Sequence, residues 1–508
     1  MTTTTTQQFD LLMEGKLSPP LRGKYFDAVN PSNGEVFARI ADADEIDVQI
    51  AVSAARLGFD HGRWPQLSIA ERGEYLVKIA TLIRENAKEL ADLECASTGK
   101  TIKHATFIDV PTAAETFEYF GNLSGNLINE TMKNSSSVLS IIEREPVGVV
   151  VTIIPWNYPL IMTAWKLAPA LLAGNCVVLK TSPSACASVM LFAKLAAGIG
   201  LPKGVLNIIA SSRAQAGQEL VSSPEVDMIS FTGSTKTGEA VMAGASKGVK
   251  KLTLELGGKS PNIVFADCDM DAAIGGSLSA IFMNQGQMCT AGSRLLVEDK
   301  IYQQFVEKLV ARAKTLKIGP AADFETEFGP LVSIEHRNSV LKFIEKGKQE
   351  GAKLVCGGSI PVVKGAVPFK GTVPLNLNGA YLEPTIFTNV RNSMSIAQEE
   401  IFGPVLCVIP FTSADEAIHI ANESKYGLAA MIWTKDLEKA NKVARRLRCG
   451  TVWINTYGAF LNEVPFGGYK QSGFGRELGL AGLLEYTQLK HIATDQTPGG
   501  RSLVTSWF

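Results

Sequence analysis

No two of the eight cysteines (Cys95, Cys176, Cys186, Cys268, Cys289, Cys356, Cys407 and Cys449) form a CxxC pair. Their scatter excludes a zinc knuckle and a small disulfide framework, and it points to a reducing compartment. The five histidines lie far apart in sequence, so metal catalysis is set aside and no metal is expected. An excess of either charge is also missing. The 49 basic and 50 acidic residues leave a net charge of -1, which gives no global field to attract nucleic acid or an acidic membrane surface. Long apolar runs are absent too. The stretches Pro146 to Pro155 and Leu167 to Leu179 are interrupted by Pro or Gly and fall short of the roughly 20 residues that cross a bilayer. The start, MTTTTTQQFD, lacks a basic stretch followed by an apolar one, predicting a frayed tail and no export signal. These absences predict a cytoplasmic protein with a small-molecule partner, no nucleic acid and no membrane.

What is present is material for several cores: 508 residues, 46% of them hydrophobic, or roughly two to four units by length. From residue 147 short β-branched runs alternate with helical patterns. Strands are predicted at 147–154, 176–180, 205–209, 228–232 and 251–256, with helices at 160–173, 184–198 and 235–245 between them, the pattern of a parallel sheet with crossover helices. A second alternation follows, with a strand at 262–266, a helix near 271–284, the strand-like SRLLVE and a helix at about 301–316. Before residue 130 the chain reads mainly as helices, for example over 66–97. The last residues, RSLVTSWF, end in apolar and aromatic side chains, which predicts a subunit contact or packing against the body.

Three segments carry candidate chemistry. FTGSTKTG, Phe231 to Gly238, follows a β-rich run and opens a helix. Its glycines permit a tight turn, and the amides at the helix start suit a phosphate. A helix-capping turn without ligand gives the same pattern, and the segment does not match the GxGxxG fingerprint. LELGGKSP places Glu255 at a strand end, where open α/β sheets set their reactive groups, although an edge carboxylate needs no such role. NQGQMCTAGSR sets Cys289 among small and polar residues after a helix, while a free cysteine is more often a small core residue.

Together these segments resemble the aldehyde dehydrogenase superfamily. The resemblance runs over nearly the whole chain through PWNYP (155–159), VVLK (177–180), FTGSTKTG, LELGGKSPNIV, GQMCTAGSR, YLEPTIF (381–387), EEIFGPV (399–405), GTVWIN (450–455) and PFGGYKQSGFGRELG (465–479), in matching order, with Glu255 and Cys289 34 residues apart. It implies an α/β fold: a Rossmann-like dinucleotide-binding domain (1–127 and 148–257), a second α/β catalytic domain (258–471) and a small β oligomerisation element (128–147 and 472–508). It also implies a homodimer or homotetramer. Carried over, it makes Cys289 the nucleophile, Glu255 the base that activates water, and Asn157 the amide facing the substrate oxygen. It places Lys180 on the adenosine ribose, Gly233 and Ser234 at the pyrophosphate, and Glu400 and Phe402 at the nicotinamide riboside, with Ile154 and Trp156 also in the cofactor site.

The implied activity is NAD(P)-dependent oxidation of an aldehyde to a carboxylic acid through a thiohemiacetal and a thioester. Where most NAD-using members have a Glu three residues after the strand-end Lys, this chain has Pro183. Losing that carboxylate removes its repulsion of a 2′-phosphate, and Arg213 adds positive charge nearby, so NADP is a second candidate. The alternative is an exposed Arg213 with NAD held by Lys180 alone. The substrate pocket carries over to Tyr158, Met162, Trp165, Phe460 and Phe466, a lining that suits an apolar or ring-bearing chain or, through ring faces, a cation. INTYGAFLNEVPFGG, with Glu463, resembles betaine-aldehyde and aminoaldehyde members, which ranks cationic ω-aminoaldehydes ahead of aromatic or aliphatic aldehydes. Competing activities are a broad-specificity oxidiser, a CoA-acylating semialdehyde dehydrogenase, which generally lacks the base at position 255, a cofactor-free cysteine acyl hydrolase, and a non-enzymatic structural relative.

Overall fold

A computed structural model describes residues 7–123, 130–133, 138–361 and 378–497. The C-terminal stretch 501–508, expected to make a subunit contact, lies outside the described residues, as does the N-terminal run 1–6. Five parallel strands form the centre of an eight-stranded sheet: β1 (Val149–Ile153), β2 (Cys176–Thr181), β3 (Leu206–Ala210), β4 (Met228–Thr232) and β5 (Lys251–Glu255). Their order is β3-β2-β1-β4-β5, so the chain winds outward on one side of β1 and then returns to the other. That reversal opens a crevice at the strands' carboxyl ends between β1 and β4. Near-continuous Val, Ile and Leu fill β1 to β3, whose residues are almost all buried, as strands covered by helices on both faces require.

The second sheet has seven strands, ordered β8-β9-β10-β7-β6-β11-β12. They are β6 (Pro261–Val264), β7 (Arg294–Glu298), β8 (Lys353–Cys356), β9 (Thr385–Thr388), β10 (Val405–Phe411), β11 (Ala429–Trp433) and β12 (Thr451–Ile454). All neighbours run parallel except β8 and β9. A separate three-stranded antiparallel sheet joins Glu130–Lys133, Val138–Pro146 and Thr487–Asp495. Among the described residues no helix is long and apolar enough to cross a membrane.

The predicted strands from 147 to 266 agree with the structure to within two residues and the helices to within three. The N-terminal region departs from expectation. Residues 7–41 hold five short strands, and one of them, Leu11–Met13, pairs antiparallel with β3. Strands of three residues are too short for period-two alternation to declare itself. The expected helix over 66–97 is two, Ile69–Glu85 and Ala87–Thr98, parted at Asn86. The first opens with a Ser68–Glu71 capping box and packs closely on Val110–Asn122. A Cβ on Gly73 would stand 2.4 Å from the Gly121 carbonyl. Gly473–Phe474, within the stretch 472–508, pairs antiparallel with β5.

The two sheets meet just after β5. Gly258 is buried there, and a Cβ on it would lie 2.2 Å from the Cys289 carbonyl oxygen. Gly258→Ala is therefore expected to cost about 1–3 kcal/mol through overpacking and to depress activity by displacing Cys289. Gly198→Ala, whose Cβ would meet only the Leu195 carbonyl at 3.4 Å, changes stability by less than about 0.5 kcal/mol. Denaturant titration of both variants checks this, and equal stability would show that the contact has room to relax.

Candidate active site

Strand register places three side chains on one edge. Ile153 pairs with Lys180 across β1 and β2, and Thr232 pairs with Glu255 across β4 and β5, so Lys180, Thr232 and Glu255 all stand at carboxyl ends. Opposite them, the chain leaves the helix Met270–Phe282 through a tight turn at Met283–Gly286. Asn284 and Gln285 both take left-handed backbone there, with φ of 47° and 55°, a conformation that costs a non-glycine residue roughly 1–3 kcal/mol. Hydrogen bonds hold the turn. Asn157 Nδ2 donates to the Gln287 carbonyl at 2.9 Å, Asn284 Nδ2 donates to the Asn157 carbonyl at 3.2 Å, and Val332 N donates to Gln287 Oε1 at 2.9 Å. Cys289 follows two residues later.

A cavity of about 210 Å³ lies between these elements, and Cys289 and Glu255 both line it. Its walls also include Tyr158, Met162, Trp165, Phe460 and Phe466. Met162 and Trp165 are three residues apart on the helix Pro159–Leu172 and so share one face. Trp165, Phe460 and Phe466 pack with ring centroids 5.4–5.9 Å apart, Phe466 edge to face with each of the other two and Trp165 tilted against Phe460. Glu463 is exposed and is not among the cavity walls. Sequence reasoning missed Glu477, His104 and Tyr457, which line the cavity as well. Glu477 sits in an ordinary charged run, RELG, and only the pairing of Gly473–Phe474 with β5 draws that segment in.

Charge at this site is held in a dry setting. Neither Glu255 carboxylate oxygen receives a hydrogen bond, and burial, reinforced by nearby Glu477, raises its pKa well above the usual carboxylate range. Burial also pushes the Cys289 thiol up to about 12, with Glu400 and Glu255 adding to the shift. Behind Glu255, Lys166 is fully buried, 2.6 Å from Glu477 Oε1 and 2.9 Å from Ser230 Oγ. In the resting site, burial therefore disfavours the ionised form of both groups.

The crevice beside β1 and β4 has the features of a dinucleotide cradle. Ser234 caps the helix Thr235–Ala245, whose first amides suit a phosphate, and Gly233 packs against the Phe231 ring, which a Cβ would strike at 2.5 Å. Lys180 is buried, and its ammonium makes one long hydrogen bond, 3.3 Å to the Thr181 carbonyl. The hydroxyls of Thr181 and Thr232 are buried without partners. Ile154 N donates to the Lys180 carbonyl at 3.1 Å. Trp156 packs on Phe402 at 5.2 Å, and Glu400 Oε1 accepts from Gly258 N at 2.9 Å. Arg213 donates to the Ala43 carbonyl at 3.0 Å, beside Asp42, which Ser211 and Ser212 hold by hydrogen bonds. Among the described residues no cluster of three His, Cys, Asp or Glu is placed to hold a metal.

The model of the aldehyde dehydrogenase family matches residues 20–492. The chain belongs to the aldehyde dehydrogenase family. It is 46% identical over 484 residues to a betaine aldehyde dehydrogenase of Bacillus subtilis (strain 168), covering 94% of this chain and 95% of the relative. It is 43% identical to the human mitochondrial aldehyde dehydrogenase, covering 92% and 88% of the two chains. A solved NAD+ complex of an aldehyde dehydrogenase from Bacillus cereus superposes with a TM-score of 0.92 at 40% identity, covering 96% of this chain and 97% of that one. This aldehyde dehydrogenase thus keeps the family's α/β architecture along its length.

The direction of the Glu255 shift sets a pH dependence. A carboxyl with a raised pKa is neutral at low pH and gains basicity only as pH rises through that pKa. Turnover is expected to rise with pH above the usual carboxylate range, and Glu255→Gln removes that rise. A flat profile in the unaltered protein would show that Glu255 does not govern the rate.

Proposed function

We propose that this aldehyde dehydrogenase oxidises an aldehyde to a carboxylic acid with NAD or NADP as acceptor, using Cys289 as nucleophile and Glu255 as base. The observation that carries this reading is the opening of a thiol and an unpartnered, buried carboxyl into one apolar cavity. The cavity sits at the carboxyl edge of a dinucleotide-type sheet. Under this reading 1–127 and 148–257 hold the cofactor, 258–471 supply the nucleophile, and 128–147 with 472–508 serve assembly.

An aldehyde has no leaving group other than hydride, so a covalent adduct must form before hydride can depart. The Cys289 thiol gives up its proton to solvent as its sulfur attacks the carbonyl carbon. The resulting oxyanion is stabilised by the Cys289 N–H and by the Asn157 amide, whose second N–H remains after its bond to Gln287. Losing one such donor costs about 10²–10³ in rate. The dinucleotide, when bound, would supply the hydride acceptor, with Lys180 holding its adenosine ribose, Gly233 and Ser234 its pyrophosphate, Glu400 and Phe402 its nicotinamide riboside, and Ile154 and Trp156 also in its site. The adduct thereby becomes a thioester on Cys289. Glu255 then takes a proton from water, which attacks the thioester and frees the acid. The presence of Glu255 in the cavity favours water over CoA as the acyl acceptor.

Pro183 leaves no carboxylate three residues after Lys180, which supports acceptance of NADP beside NAD. Direct binding titrations of the two dinucleotides to Arg213→Ala test this, with a larger loss expected for NADP. For the substrate, the rings favour an apolar or aromatic chain. A cationic aldehyde of the betaine type is supported by the Bacillus subtilis relative's name, yet Glu463 stands outside the cavity, and the three rings cover part of one another's faces, which a cation needs open. Assembly as a homodimer or homotetramer is supported by the edge strand Thr487–Asp495, exposed after its first residue, since a free strand edge is a template for pairing.

Two variants test the chemistry. Cys289→Ala is expected to lose oxidation while still binding dinucleotide. Glu255→Gln is expected to give one rapid equivalent of reduced nicotinamide and then slow turnover, as the thioester accumulates. Steady, unchanged turnover in either variant contradicts the assignment.

A further inference from the structure

A second cleft, of about 530 Å³, lies outside the reaction cavity, between Thr101–Ile108, the helix Met270–Phe282 and the end of the helix Tyr302–Ala313. His104, Ile108 and Met283 line both spaces, so the outer cleft adjoins the inner one. The two differ in chemistry. The inner cavity has its carboxyls, Glu255 and Glu477, among apolar and aromatic walls. The outer cleft carries Lys103 and Arg312, with Glu327 as the one carboxylate among its described walls.

Neither cation is neutralised. Among the described residues the exposed Arg312 guanidinium makes no hydrogen bond or ion pair; it lies over Gly275, with Nη1 3.7 Å from where a Cβ there would stand. Lys103 Nζ sits 5.3 Å over the Phe324 ring, without a carboxylate partner. Glu327 is engaged elsewhere, its Oε2 accepting from Lys317 N at 3.0 Å, and Glu325 next to Phe324 pairs with Lys317 at 3.4 Å. His104 is buried and stays neutral, its pKa lowered by burial and by Lys100. Beside the cations Phe107 and Phe324 pack edge to face at 6.0 Å and remain exposed. An occupant reaching outward from Cys289 would therefore pass an aromatic channel and then meet two unpaired positive charges flanked by rings.

We infer that the outer cleft is the mouth of the inner cavity and that the preferred substrates are aldehydes whose far end carries an anionic group such as a carboxylate, joined to the carbonyl by an apolar or aromatic link, with Lys103 and Arg312 selecting that group there. This rests on the assignment of the inner cavity as the site of oxidation. The recognition is electrostatic and solvent-exposed, so it is salt-sensitive and moderate in size.

The test compares kcat/KM for saturated aldehydes of equal length ending in carboxylate, methyl ester or trimethylammonium, across several chain lengths. At the best length the carboxylate is expected to exceed the ester by about 2- to 30-fold at low salt and the cation by more. Sodium chloride shrinks the ratio. The double variant Lys103→Glu/Arg312→Glu, altering two surface residues outside the reaction cavity, is expected to invert the order while leaving the ester's kcat/KM unchanged. A carboxylate-to-ester ratio of one or less at every length, or a ratio indifferent to the charge reversal, overturns the inference. Failure of the ester itself to be oxidised would instead overturn the assignment of the inner cavity.

Discussion

Everything at this site depends on how parallel strands end. Because β1, β2, β4 and β5 pair in register, Lys180, Thr232 and Glu255 arrive at one edge although 75 residues of chain separate the first from the last. The second sheet brings Cys289 to that edge only because Gly258 offers no side chain, so the chain leaving β5 passes directly against the Cys289 carbonyl. Loops of ordinary flexibility could not hold a nucleophile and a base to the tolerance that bond making needs. Here the two sheets and a hydrogen-bonded turn with two strained residues hold them.

Burial then sets the chemical state of both groups. Desolvation is the largest cause for both groups, with Glu477 adding to the upward shift of Glu255 and Glu400 and Glu255 adding to that of Cys289, so the apolar cavity disfavours charge on each. Glu400 belongs to the same economy: it is buried, and its pKa is raised to about 7 by that burial against the opposing hydrogen bond from Gly258. Gly258 therefore touches both halves of the site, through its N–H toward Glu400 and through its bare Cα toward Cys289. The outer cleft works by the opposite rule. Its cations face water, where charge is cheap to maintain and selectivity is correspondingly modest.

The sequence made the central strands legible because buried parallel strands are short apolar, β-branched-rich runs bounded by turns, clearest in β1 to β3, while β4 and β5 mix apolar with polar residues. It also made the thiol and the carboxyl candidates legible through the motifs around Cys289 and Glu255, and the structure brings both into one cavity with the five expected wall residues. Long-range features stayed hidden. The pairing of Leu11–Met13 with β3 joins segments nearly 200 residues apart, and no local period announces it. Glu477 enters the cavity through a two-residue strand. The break at Asn86 was invisible because charged residues continue on both sides of it. Whether Glu463 faces the cavity depends on loop direction, which composition does not encode.

The claim that the whole chemistry runs through one sulfur can be examined by covalent trapping. Glu255→Gln would be mixed with a neutral aldehyde and oxidised dinucleotide, quenched in acid within the first turnover, digested and mapped by mass spectrometry. The account predicts an acyl increment on the peptide containing Cys289, at close to one per chain, and none on the other seven cysteines. An unmodified Cys289 peptide in a sample that has already formed reduced dinucleotide, or an acyl group on a different cysteine, would contradict it.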